Sequence, residues 1–398
     1  LSKGWPKSIF VSLYLLKRLL GKIIFLCSVK GKNKLSDFPI DIKKILIAPL
    51  DWGLGHATRC IPIVEVFLEK DVEVVLGSNG RSLDLLKATF PNLRCIEIPG
   101  YDFEYPSGNG MVWAALKQVP KVIRRIGVEK KFVRELQLKE KFDLIISDNR
   151  YGVFCFTAQN IFVCHQMALM VPSQLKFGRK WLYNFHLSFM KPFQQIWIPD
   201  NEGRLNLSGG LTHDYTLPQK ANFIGVLSRF AKMKPTERPI PYEYILVLLS
   251  GPEPQRSIFQ KIIEAQAEKT DKKFVIIEGK PELNQKKAVG NFINISHLYG
   301  QDLYNYMFYA KGILCRSGYS TVMDLNAIGK KAFFVPTPGQ TEQEYLAVEL
   351  DRKGVAKFAT QASLDLNEAI NYFEEVESLN SVTTEDKLRE AINLLFKV

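Results

Sequence analysis

The residues best placed to do chemistry fall at the ends of short apolar runs. Pro49-Leu50-Asp51-Trp52-Gly53-Leu54-Gly55-His56-Ala57-Thr58-Arg59 follows one such run and opens a helical pattern. Gly53 and Gly55 let the backbone turn tightly and approach a ligand, and free N–H groups at a helix start favour an anion or polar oxygens. A dinucleotide fingerprint needs a third glycine where Thr58 stands, so NAD and FAD are poor matches. His56 is the favoured general base, because imidazole titrates near neutrality. His165 and Asp148, each at the end of a later apolar run, are the alternatives, and Asp148 could equally cap the element after it. His186, His213 and His297 read as structural or surface residues.

A second set of loops suits an anion. Leu249-Ser250-Gly251-Pro252-Glu253-Pro254-Gln255-Arg256 again runs from a strand pattern into a helix; Ser250 and Gly251 could contact phosphate, and Arg256 could supply charge. The strongest feature is Cys315-Arg316-Ser317-Gly318-Tyr319-Ser320-Thr321-Val322-Met323-Asp324, followed by Pro336-Thr337-Pro338-Gly339-Gln340-Thr341-Glu342-Gln343-Glu344-Tyr345. Both run from a strand end through small polar residues into a helix, so two helix starts should converge on one pocket. Oriented N–H dipoles and hydroxyls hold a diphosphate in this way without a metal or other cofactor. Asp324, two turns in, could reach ribose hydroxyls, and Gln343 and Glu344 could reach sugar hydroxyls.

The elements that must position these residues form two series. From Lys44 onward, apolar runs at Ile45–Pro49, Val72–Leu76, Cys95–Ile98, Leu144–Ser147, Ile161–Cys164 and Ile196–Ile198 alternate with helical patterns at 56–70, 81–89 and 113–140. A polar, proline-rich linker over 229–241 interrupts them. The pattern restarts with strands at Tyr244–Leu249, Phe274–Ile277, Phe292–Ile295, Ile313–Cys315, Ala332–Val335 and Val355–Phe358, and with helices near 253–269, 302–310, 318–328, 341–353, 362–376 and 384–396. The expected fold is α/β with two doubly wound Rossmann-like domains, 41–228 and 242–398, facing a central cleft where such folds bind ligands.

At these residues the chain resembles glycosyltransferase family 28, a GT-B family, especially its members that add N-acetylglucosamine to the lipid-linked peptidoglycan precursor. C-R-S-G stands at 315–318, T-V-x-[E/D] at 321–324, Q-[Q/E]-Y at 343–345, G-x-G-H at 53–56 and an H-x-Q-like strand end at His165-Gln166. The resemblance spans about residues 44–398. It implies a nucleotide-sugar donor held by the C-terminal domain through Ser250, Gly251, Arg256, Leu298 and Tyr299 beside the base, Arg316, Ser317, Gly318, Ser320, Thr321, Asp324, Gln343 and Glu344. A sugar or lipid-linked acceptor would meet the other domain. The chain departs from the family in having Asp324 where Glu is usual and D-W-G-L-G-H-A-T-R in the first turn. That turn is closer to a broader group of prokaryotic family-28-like glycosyltransferases.

Charge narrows the class further. The net charge is +12, yet residues 1–36 hold eight Lys/Arg and no acidic residue, so the remaining body is only mildly basic and carries no nucleic-acid motif. In that stretch Trp5, Phe10, Tyr14 and several leucines interleave with the cations, which suits an in-plane anchor over residues 1–40 on an anionic membrane surface, with the enzyme cytoplasmic and peripheral. The six cysteines are widely spaced and read as free thiols. Two other functions fit parts of the sequence: a same-fold epimerase or hydrolase of nucleotide sugars, and a non-catalytic, membrane-associated sugar-nucleotide binder. No surplus of carboxylates flanks the glycine loops, as the first would need, and intact donor loops beside a G-x-G-H turn argue against the second.

Overall fold

The computed structural model describes residues 40–101, 111–167, 179–375 and 386–396. The basic stretch over residues 1–36, and with it the expected anchor, lies outside the described residues. Among those described, no helix is long and apolar enough to cross a membrane.

The inner strands of the first half are buried on both faces, as a parallel sheet covered by helices requires. The elements are β1 (Lys44–Pro49), α1 (Leu54–Leu68), β2 (Glu73–Ser78), α2 (Gly80–Thr89), β3 (Arg94–Glu97), α3 (Met111–Glu140), β4 (Leu144–Asp148), β5 (Gln159–Val163), α4 (Arg179–Met190), β6 (Gln195–Ile198) and β7 (Ala221–Phe223). The strand order is β3-β2-β1-β4-β5-β6-β7, all parallel. Order reverses between β1 and β4, which opens a crevice at their carboxyl ends. Register places Pro49 beside Asp148 there.

The second half repeats the plan with β8 (Ile245–Leu248), α5 (Gln255–Ala267), β9 (Phe274–Ile277), β10 (Lys286–Val289), β11 (Phe292–Ile295), α6 (Gly300–Tyr309), β12 (Gly312–Cys315), α7 (Tyr319–Ile328), β13 (Ala332–Phe334), α8 (Thr341–Arg352), β14 (Lys357–Phe358), α9 (Leu366–Glu375) and α10 (Lys387–Asn393). Its order is β10-β11-β9-β8-β12-β13-β14, with β10 antiparallel to β11 and the reversal between β8 and β12. The loops expected to hold an anion follow β8, β12 and β13, so all three open on the same crevice.

Three features depart from the sequence expectation. β7 and β10 were not anticipated: β10 is Lys-Lys-Ala-Val with every residue exposed, an edge strand with no apolar signal. α4 was also not anticipated. The third departure concerns the domain assigned to 242–398. α10 and the residues after it return to the first domain, where the Ile40 N–H donates to Leu395 O at 2.8 Å, Phe396 lies against Phe67 and Arg389 pairs with Glu69. The return buries apolar surface of α1 that would otherwise face water.

Candidate functional site

His56 stands in the first turn of α1, and Asp148 ends β4. The sheet reversal brings these neighbours together, so His56 Nδ1 lies 2.9 Å from Asp148 Oδ1. One turn further along α1, Arg59 is buried and grips the same carboxylate, its Nε donating to Oδ2 at 2.5 Å and its Nη2 to Oδ1. Asp148 is fully buried. Burial alone would raise its carboxyl, but the charges of Arg59 and His56 hold it well below the usual carboxylate range. For His56, burial and then the Arg59 charge push the imidazole below its ordinary value, with Asp148 opposing them. The ring is therefore neutral near pH 7, as a base must be. Asp148 only accepts, so a proton on His56 Nδ1 would serve it and leave the Nε2 lone pair for a substrate. Arg59 Nη2 also lies 2.8 Å from His56 Nδ1. Both groups converge on one oxygen, and the carboxylate satisfies both.

His165 follows β5 and joins the same cluster. Arg59 Nη1 lies 2.7 Å from its Nδ1, and since a guanidinium only donates, Nδ1 accepts and the proton sits on Nε2. That N–H reaches Glu342 Oε1 in α8 at 2.8 Å. Tyr319, the first residue of α7, stacks on the ring with centroids 4.2 Å apart and donates its hydroxyl to Pro199 O at 2.8 Å. Both His165 nitrogens are thus occupied and its face is covered, so His165 ties the domains together, while His56 Nε2 has no hydrogen-bond partner among the described residues. Of the three candidate bases, His56 alone has the geometry of one; Asp148 orients it.

On the other side of the seam, Gly55 is a glycine because α7 presses on it: a Cβ there would meet Ser320 Oγ at 2.8 Å, and that hydroxyl donates to Gly55 O. Gly53, at φ +78°, makes the turn into α1. Ser250 is exposed at the end of β8, and Gly251 has φ +96°, a conformation that favours glycine. A Cβ on Gly251 would lie 3.5 Å from Thr337 Oγ1, so the loops after β8 and β13 converge. Gly318 caps α7, and Thr321 is half-buried in its first turn. Gln343 accepts from the Thr337 N–H, Glu344 accepts from the Gly339 N–H, and Ser317 Oγ donates to Gln343 O. These three side chains shape the loop that leads into α8. Leu298 packs on the core and Tyr299 is 45% exposed beside it, at the start of α6.

Three expected ligand contacts are otherwise engaged. Arg316 is buried, stacked 4.2 Å from the Phe259 ring, and donates to Val335 O, Pro336 O, Gln255 O and Gln361 Oε1. Burial lowers its guanidinium to about 10. It braces the anion loops from behind and does not face the crevice. Arg256 donates to Gly279 O at 2.7 Å and pairs with Glu253, tying two loops together. Asp324 is buried and accepts from Ser228 Oγ at 2.7 Å and Arg229 Nε at 3.2 Å, and burial raises its carboxyl against the pull of Arg229. Its carboxylate holds the segment that crosses between domains.

Sequence reasoning missed Arg59, Tyr319, Glu342 and Thr337. The Thr337 hydroxyl is buried with no partner among the described residues, as expected of a group that a ligand completes. Spacing offered one signal: Arg59 lies three residues after His56, on the same helix face.

Two Rossmann-like sheets facing each other across a crevice are the arrangement of the GT-B class of glycosyltransferases, and comparison with known proteins shows that the chain is similar to glycosyltransferases, with a family 28 match in its second half. Residues 245–393 match the glycosyltransferase family 28 C-terminal domain. An uncharacterised glycosyltransferase of Methanosarcina mazei is 25% identical over 357 residues, 80% of this chain and 86% of that protein. The UDP-N-acetylglucosamine–N-acetylmuramyl-(pentapeptide) pyrophosphoryl-undecaprenol N-acetylglucosamine transferase of Haemophilus influenzae is 31% identical over 126 residues, 28% of this chain and 34% of that enzyme. Among solved structures, the glycosyltransferase of kitacinnamycin superposes with a TM-score of 0.59 at 13% identity, covering 89% of this chain and 94% of that one.

Proposed function

We propose that this glycosyltransferase moves a hexose or N-acetylhexosamine from a nucleotide diphosphate sugar, a UDP-sugar, to an acceptor hydroxyl without a metal. The observation that carries the reading is the His56–Asp148 pair at 2.9 Å, facing the convergent loops after β8, β12 and β13. His56 Nε2 takes the acceptor proton as its oxygen attacks the anomeric carbon. The bond to the diphosphate breaks, and the helix starts of α7 and α8 stabilise the leaving charge. The match to the Haemophilus enzyme, named for a UDP-N-acetylglucosamine donor and an undecaprenol-linked acceptor, supports a UDP-sugar and leaves a lipid-linked acceptor as the partner of choice. The eight cations within residues 1–36 would bring the enzyme to an anionic membrane surface, with roughly 1 kcal/mol from each.

The test is donor consumption with a chelator present. The chain should release UDP from a UDP-sugar in EDTA, and His56→Ala should lower turnover by about 10²–10⁴ while leaving UDP affinity unchanged. Activity should fall on the acid side with a midpoint below 6.5, since His56 must be neutral and its pKa is lowered. A requirement for manganese, or full activity in His56→Ala, would overturn the mechanism. For the membrane arm, deleting residues 1–36 should abolish sedimentation with phosphatidylglycerol vesicles; equal pelleting would refute it.

A further inference from the structure

The turn before α1 carries two side chains that the mechanism does not use. Asp51 and Trp52 precede Gly53 and neighbour Gly100 and Tyr101, just past β3. A Cβ on Gly100, just past β3, would lie 2.5 Å from Asp51 Oδ2 and 2.8 Å from Asn79 Nδ2. The absence of a side chain at Gly100 is what lets these two polar groups sit over the ends of β2 and β3. Asp51 Oδ1 is shut from solvent and has no hydrogen-bond partner among the described residues. A carboxylate oxygen left in that state costs stability, and such groups mark places that a ligand completes.

Trp52 is 36% exposed and meets Tyr101 edge-on, with centroids 6.2 Å apart. Tyr101 is held in turn: its hydroxyl donates to Glu129 at 2.6 Å, and Glu129 accepts from Arg150 Nε at 2.8 Å, all of them buried. The indole is therefore a braced surface at the mouth of the crevice, beside an acceptor-only carboxylate and five residues or fewer from His56.

We propose that Asp51 and Trp52 form the acceptor subsite and that it takes an uncharged sugar ring, the indole covering the C–H face and Asp51 accepting from a ring hydroxyl. This deepens the glycosyltransferase reading and rests on it. The carboxylate excludes a phosphate from this position: with Oδ1 unpaired and no cation paired with Asp51 among the described residues, an anionic group would meet repulsion. An aromatic face with a few convergent polar atoms is the make-up of a small-molecule site, and a hydroxyl oriented here lies on the same turn as the base.

The experiment is a ligand-observed NMR titration of the full chain with the methyl glycosides of glucose, galactose and N-acetylglucosamine, with methyl phosphate as the anionic control. At least one glycoside should bind and methyl phosphate should not. Asp51→Asn, which keeps the packing on Gly100, should weaken binding about tenfold or more, as expected for a hydrogen bond to a charged acceptor. Trp52→Ala should do the same. Both variants should keep the wild-type thermal shift with UDP. If no glycoside binds, if both variants bind as the wild type does, or if methyl phosphate competes, the subsite is refuted. A wild-type chain that ignores UDP yet binds glycosides through Asp51 and Trp52 would instead count against the donor reading alone.

Discussion

Tyr319 lies face to face on His165, the ring planes 4° apart, so the first residue of α7 in one domain rests on the strand-end histidine of the other. The stack joins the domain that carries His56 to the domain that carries the loops after β8, β12 and β13. Tyr319→Phe should keep the stack and cost about 1 kcal/mol from the orphaned Pro199 carbonyl. Tyr319→Ala should cost about 3–5 kcal/mol, as for other large aromatic truncations. Denaturant melts of both variants check the pair; equal losses would mean that the ring contributes nothing beyond its hydroxyl.

Asp148 serves two masters, and its removal should show both. Asp148→Asn leaves Arg59 buried without its counter-charge, a change that costs about 3–5 kcal/mol for buried pairs. It also frees His56 from its orienting acceptor, so turnover should fall even where the variant is fully folded. Melting temperature and rate, measured below the variant's transition, separate the two effects.

Asp324 offers a contrast. Its bonds to Ser228 and Arg229 make it part of the crossover, while the family resemblance assigns this position to the ribose. If the position also reaches the ribose as the resemblance implies, Asp324→Ala should weaken UDP binding about ten- to a hundredfold, the equivalent of 1.5–3 kcal/mol for hydrogen bonds to a charged group, beyond the stability lost with the Ser228 and Arg229 bonds. Ser228→Ala should lower stability by about 1 kcal/mol and leave UDP affinity alone. If the two variants lose affinity equally, Asp324 acts through the hinge and not on the nucleotide.

His186 should make the fold acid-sensitive. Burial lowers its imidazole from 6.5 to about 4, while its ring lies 2.6 Å from the Tyr151 hydroxyl and 3.0 Å from Met167 O. With the folded value depressed, the contribution is complete above pH 6.5 and is lost as pH falls toward 4, where the unfolded chain takes up the proton first. The loss approaches about 3 kcal/mol at 1.36 kcal/mol per unit. Urea melts at pH 7, 5.5 and 4.5 should show that decline, and His186→Gln should flatten it.

The sequence by itself determined the two-series α/β plan, the glycine turns and the positions of the anion loops. Each is written locally: short aliphatic runs such as Ile45-Leu46-Ile47-Ala48 and Leu144-Ile145-Ile146, bounded by polar residues or proline, form buried strands, and Gly251 takes the positive φ of the turn that follows one. The edge strand β10 escaped because lysines on an exposed edge carry no hydrophobic period. Tertiary structure alone decided which candidates meet. Asp148 is 92 residues from His56 and Glu342 is 177 from His165, and neither distance along the chain says that sheet reversal and domain docking bring them within 3 Å. It also decided which way a side chain faces. Arg316 looked like a donor ligand beside Ser317, but its two Nη groups find four oxygens and its guanidinium lies over the Phe259 ring behind the loop, so burial with these partners wins over exposure to the crevice.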